Sequence, residues 1–144
     1  MGIADRDDEI ARLAGRDVDV FLASEGEVAF RALERQVLRE AAGREGCVVA
    51  TGGGAVLGGE AFEALAGPGL VIWLDVPLEE LVQRARTRPR PALTDLSVAE
   101  EVARLDALRG PLYEAAADIV LGPADGDPIL TLLSRLDPRH DDEP

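Results

Sequence analysis

Lysine is absent from this chain: all 15 of its basic residues are arginines. A GxxxxGK(S/T) phosphate loop, whose lysine contacts the transferred phosphate, is therefore not found in these 144 residues. Cys47 is the single cysteine, which excludes an internal disulfide framework, and its place in an apolar run suits a buried thiol. One cysteine and one histidine do not make a structural zinc site. No apolar run approaches the roughly 20 residues that a membrane-spanning helix needs. Residues 1–9 are acidic and lack an apolar core, so no signal peptide is expected there and the expected location is cytoplasmic. Positive charge is also scarce. With 28 acidic residues the net charge is −13, which argues against nucleic acid or an anionic membrane as partner, since counterion release needs a basic face.

What is present is ordinary for one globular domain: 47% hydrophobic and 30% charged residues, enough for a single core. Residues 7–14 read as a helix closed by Gly15, with Ile10, Leu13 and Ala14 at helical spacing. A short helix over 18–23 is broken at Ser24-Glu25-Gly26. A longer one over 27–42 has Phe30, Leu33, Val37 and Ala41 in one stripe and Gly43 at its end. Residues 47–51 read as a strand, 60–66 as a short helix, and 70–74 as a strand buried on both faces of a parallel sheet. Pro77 sits at the N1 position of a helix running to about Arg86, and the proline- and arginine-rich stretch 84–91 reads as a surface loop. A helix over 97–108 with a break at Gly110-Pro111, a strand over 119–121, a last helix over 128–136 and a frayed tail complete the chain. A strand stub at 2–4 is the weakest element. Strands alternating with helices predict a parallel α/β sheet.

The triplet Gly52-Gly53-Gly54, directly after a strand, is the most specific local signal. Glycine lets backbone N–H groups approach an anion with no side chain in the way; a purely structural bend is the alternative. Asp5 and Asp7 suit a hydrated metal ion plus a hydroxyl, or simply an acidic, capped first turn of a helix. Arg31 and Glu34, three apart on one helix face, read either as a carboxylate-binding arginine held by a glutamate or as a solvated surface pair. Arg84, Arg86, Arg88 and Arg90 suggest a positively charged lid or a basic surface loop. Arg109 is a second anion clamp or a helix-end arginine.

In order along the chain, Asp5-x-Asp7-x-x-Ile10, Gly26-Glu27-x-x-Phe30-Arg31-x-x-Glu34, Ala50-Thr51-Gly52-Gly53-Gly54, Arg90-Pro91-Ala92-Leu93 and Arg109-x-Pro111-Leu112-Tyr113 resemble shikimate kinases. The resemblance implies an α/β, P-loop kinase-like fold of the nucleoside monophosphate kinase type, a three-layer parallel sheet. It implies transfer of phosphate from ATP, with Mg2+, to the 3-hydroxyl of shikimate in aromatic amino-acid biosynthesis. Asp7 would bind and orient the attacking hydroxyl, and Asp5 would hold magnesium through water. Arg31 and Arg109 would clamp the shikimate carboxylate, Glu34 would orient Arg31, and Gly53, flanked by Gly52 and Gly54, would donate from its backbone. Arg90 would be the lid arginine, and Arg84 would pack on adenine.

Three departures stand out against that family. Arg6 replaces a usual threonine, Ala92 a usual leucine, and the first strand, phosphate loop and first helix have no counterpart in the given residues. The expectation is a shikimate kinase-like domain over residues 1–136, incomplete at its N-terminus, with a disordered tail over 137–144. Edges of the 47–51 and 70–74 strands would then lie open to another chain that completes the sheet. Phosphoryl transfer by these residues alone is not expected. A pseudoenzyme that binds shikimate or a partner is the alternative, and a nucleoside- or gluconate-kinase-like protein is a more distant one.

Overall fold

Two parallel strand pairs carry the fold, each brought together by helical connections. The structure, a computed structural model, describes residues 2–88, 94–127, 130–132 and 134. Strand β1 (Gly2–Asp5) leads directly into α1 (Arg6–Ala14), then α2 (Val18–Ala42), and returns in β2 (Cys47–Ala50). A 3-10 turn over Ala55–Leu57 and α3 (Glu60–Ala66) lead to β3 (Ile72–Leu74), α4 (Leu78–Thr87), α5 (Val98–Ala116) and β4 (Ile119–Leu121). Among the described residues β1 pairs with β2 and β3 with β4, both parallel, in two separate two-stranded sheets. The register Asp5↔Ala50 sets the C-terminal ends of β1 and β2 side by side.

The helix boundaries follow from local chemistry. Asp5 caps α1, its Oδ1 accepting the backbone N–H groups of Asp7 at 2.8 Å and Asp8 at 3.3 Å. Gly15 ends that helix at φ 69°, a left-handed conformation that glycine adopts at no steric cost. Helix α2 is two predicted helices in one: Gly26, at φ 85° and ψ 172°, is the break between them. Helix α5 opens with a capping box in which Ser97 and Glu100 satisfy each other's backbone N–H groups. The Ser97 hydrogen bonds, hydroxyl first and backbone second, hold the Glu100 carboxyl below its ordinary pKa.

The core lies between helices. Ile10, Phe30 and Val37 form one cluster where α1 crosses α2, with Leu13 and Leu33 against it. Leu38, Ala55 and Ala61 form a second between α2 and α3. Glu9 fastens α1 to the end of α2 by accepting from Arg44 at 3.0 Å, and the hydrogen bonds of Arg44 and then Arg12 hold its carboxyl below the ordinary range.

Several expectations change. The 70–74 run is not buried on both faces: Ile72 is 37% and Leu74 63% exposed, because β3 is paired on one edge only among the described residues. Cys47 is half-buried rather than buried, at the first position of a strand with one neighbour. Helix α4 ends at Thr87, close to the expected end near Arg86, so Arg84 and Arg86 belong to the helix rather than to a loop, and it begins one residue after Pro77. Helix α5 runs unbroken through Pro111 to Ala116. Proline in a helix interior costs about 3 kcal/mol. Here the turn beyond it carries Tyr113 onto Trp73, ring centroids 5.8 Å apart, and onto the glycine triplet. Within the expected last helix, 130–132 and 134 are helical; its remainder and the tail 137–144 lie outside the described residues.

Candidate functional site

Because β1 and β2 are parallel and in register, Asp5, Arg6 and Asp7 at the end of one strand face residues 50–53 at the end of the other. Between them lies an open, polar cleft of about 210 Å³. The C-terminal ends of parallel strands are where α/β sheets present ligand sites, since helix N-termini and loop amides converge there.

A network of four charged groups backs this cleft. Arg6 is buried and donates from Nε (2.9 Å) and Nη2 (2.5 Å) to Asp7 Oδ1, and from Nη1 to Glu34 Oε1 at 2.6 Å. Glu34, only 2% exposed, accepts from Arg31 Nη1 on its other oxygen at 2.7 Å. The Arg31–Glu34 pair is thus no solvated surface pair. Both guanidiniums lie over Phe30, with their Cζ atoms 5.7 and 5.4 Å from its ring centroid. Two carboxylates and two guanidiniums compensate each other, which is what allows these charges to be taken out of water.

Each glycine of the triplet lies against a different side chain. A Cβ on Gly52 would lie 1.9 Å from Arg6 Nη1, and one on Gly54 would lie 2.2 Å from Arg31 Nη1. A Cβ on Gly53 would meet the Tyr113 hydroxyl at 2.9 Å and Arg109 Nη1 at 3.1 Å. Real Cβ atoms essentially never come within 3.0 Å of a neighbour. Tyr113 donates its hydroxyl to Gly53 O at 2.6 Å and so fixes the peptide that follows. Nε of Arg109 is buried and has no hydrogen-bond partner among the described residues.

The structure therefore brings Asp5, Asp7, Arg31, Glu34, Gly52, Gly53, Gly54 and Arg109 into one region. Arg84 stands apart, exposed on the last turn of α4 and paired with Glu80. Arg90, with the Arg90-Pro91-Ala92-Leu93 motif, lies outside the described residues. Sequence reasoning missed Arg6 and Tyr113. Arg6 left a signal: a cation in the first turn of a helix opposes the helix dipole and implies a local anionic partner.

A resident metal centre is not apparent. Oδ1 of Asp5 serves the helix cap, Asp7 is paired with a guanidinium, and no group of three or more His, Cys, Asp or Glu is placed to hold a metal among the described residues.

A model of the shikimate kinase family matches residues 1–133. The shikimate kinase of Nitratidesulfovibrio vulgaris is 44% identical over 126 residues, which cover 84% of this chain and 72% of that protein. The shikimate kinase of Pasteurella multocida is 40% identical over 123 residues, covering 84% of this chain and 70% of its own. The solved structure of shikimate kinase from Acinetobacter baumannii in complex with shikimate superposes with a TM-score of 0.80 at 33% identity, over 93% of this chain and 79% of that one. For the Aquifex aeolicus shikimate kinase the TM-score is 0.76 at 27% identity, over 94% and 79%.

Proposed function

The chain belongs to the shikimate kinase family, and from that premise we propose that the cleft between α1 and the glycine triplet is an acceptor site for shikimate. The carrying observation is that three side chains, Arg6, Arg31 and Tyr113, converge on three successive glycines while Arg109 keeps a buried nitrogen without a partner. In this reading Arg31 and Arg109 receive the shikimate carboxylate, and Glu34 holds Arg31 in place. Asp7 binds and orients the hydroxyl that attacks phosphate, and Gly53 offers backbone to the ring. Residues 1–136 form the domain that builds this site.

ATP is the phosphoryl donor of the reaction, and Arg90 and Arg84 are assigned to the nucleotide side. Magnesium bound with ATP would neutralise phosphate charge, and Asp5 would meet it through water, the nucleotide supplying the other ligands. The residues given hold no lysine to contact the transferred phosphate, so shikimate binding without appreciable phosphoryl transfer is expected of them alone. The β2 edge away from β1 and the β3 edge away from β4 carry no strand among the described residues, with Val48 53% and Leu74 63% exposed. We assign those edges to another chain that completes the sheet. No helix among the described residues is long and apolar enough to cross a membrane, in keeping with a cytoplasmic setting.

Separate calorimetric titrations with shikimate and with ATP test the reading, beside a phosphorylation assay on protein from a host lacking its own kinase. Shikimate should bind one to one. Shikimate binding with ATP silent identifies a binding module; silence toward both contradicts the acceptor-site assignment.

A further inference from the structure

Arg6 is the residue of this cleft that neither the family motif nor the acceptor roles absorb. Its guanidinium spends one face of its fork on Asp7 and the remaining nitrogen on Glu34, whose second oxygen goes to Arg31. Hydrogen bonds therefore run unbroken from Asp7 through Arg6 and Glu34 to Arg31. Both middle members are buried, at 7% and 2% exposure, so the links act in a low dielectric and are not replaced by water. Phe30 and Gly52 both lie against the guanidinium: the ring centroid is 5.7 Å from Cζ, and a Cβ on Gly52 would overlap Cζ at 2.0 Å. Such a planar fork, satisfied on two sides by two different carboxylates, fixes the angle between them.

We infer that Arg6 is a positioning residue that joins the hydroxyl-facing Asp7 to the carboxylate-facing Arg31, so that the two ends of the acceptor site are set as one unit. The inference rests on the acceptor-site reading for what each end touches; the link itself is a property of this chain without ligand. Three of the five N–H groups of Arg6, one on each nitrogen, are engaged by the carboxylates of Asp7 and Glu34. Its effect passes through Asp7 and Glu34. Lysine at position 6 keeps the charge but serves one carboxylate at a time, so Arg6→Lys breaks the link while leaving a cation beside two anions.

The test is a mutant cycle between the two ends of this network, Asp7 and Arg31. Shikimate affinity is measured calorimetrically for the full chain, for Asp7→Asn, for Arg31→Lys and for the double variant, and again with Arg6→Lys in each. With Arg6 in place, the double variant should lose about tenfold less affinity than the product of the single losses; in the Arg6→Lys background the losses should multiply. Melting of the same eight proteins without ligand should show the same pattern, non-additive with arginine and additive with lysine. Equal non-additivity in both backgrounds, or additivity in both, overturns the inference. If the parent chain binds no shikimate, the acceptor reading fails and the melting series alone decides on the link.

Discussion

Gly52→Ala puts the packing of the cleft to a quantitative test. A methyl group there would sit 1.9 Å from Arg6 Nη1, 2.0 Å from Cζ and 2.4 Å from Nη2, against an ordinary contact of at least 3.4 Å. An exposed arginine would swing away at little cost. Arg6 is buried, bonded to Asp7 and Glu34 and seated on Phe30, so it can retreat only by breaking at least one charge-assisted hydrogen bond. Overpacking costs about 1–3 kcal/mol, and each charge-assisted bond lost adds about 1.5–3 kcal/mol. The expected destabilisation is about 3–5 kcal/mol, a fall in Tm of roughly 10 °C or more at this chain length. Thermal denaturation followed by circular dichroism reads it. Gly43→Ala is the control: its Cβ would make only an ordinary 3.7 Å contact at negative φ, and the change should stay within about 0.5 kcal/mol. Repeating Gly52→Ala in an Arg6→Thr background should reduce its cost to below about 1 kcal/mol, since the obstructing group is gone. The same cost in both backgrounds would refute the reasoning.

Tyr113→Phe removes the hydroxyl that holds Gly53 O and should cost about 1 kcal/mol in a denaturant melt, with weaker shikimate binding as the loop loosens. Glu34→Gln leaves Arg6 and Arg31 facing each other across a neutral amide and should destabilise by about 3–5 kcal/mol, again read by melting. Ser97→Ala removes the α5 cap at a cost of about 1 kcal/mol at neutral pH. Because Ser97 lowers the Glu100 pKa, this stabilisation is present above the unfolded glutamate pKa of about 4.3 and is lost as pH falls through the lower folded value. The Tm difference between parent and Ser97→Ala should therefore shrink in acid; a gap that grows would contradict the sign.

Much of the fold could be read because its elements obey local rules. Gly15 in the left-handed conformation, the Gly26 break and the Phe30–Leu33–Val37–Ala41 stripe all act through near neighbours, and each lies where periodicity placed it. The Arg31–Glu34 pair was visible from spacing, whereas its burial depends on α1 crossing α2, which spacing does not encode. Pro111 misled because the contacts that keep α5 helical, Trp73 and Gly53, lie 38 and 58 positions away in the chain. The triplet's glycines read as a turn open to an anion or as a structural bend, and in the structure arginine and tyrosine side chains from three helices lie against them. Arg6 was the hardest to place. Its place in the first turn of a helix hints at an anionic partner, but the one that buries it, Glu34, arrives from α2.

The central claim is that this cleft takes shikimate with its carboxylate between Arg31 and Arg109. Calorimetric titration of the chain with shikimate and, in parallel, with shikimate methyl ester addresses it most directly. Two charge-assisted contacts at about 1.5–3 kcal/mol each predict one-to-one binding of the acid and at least a hundredfold weaker binding of the ester. Equal affinity for acid and ester, or no binding of either, would contradict the account.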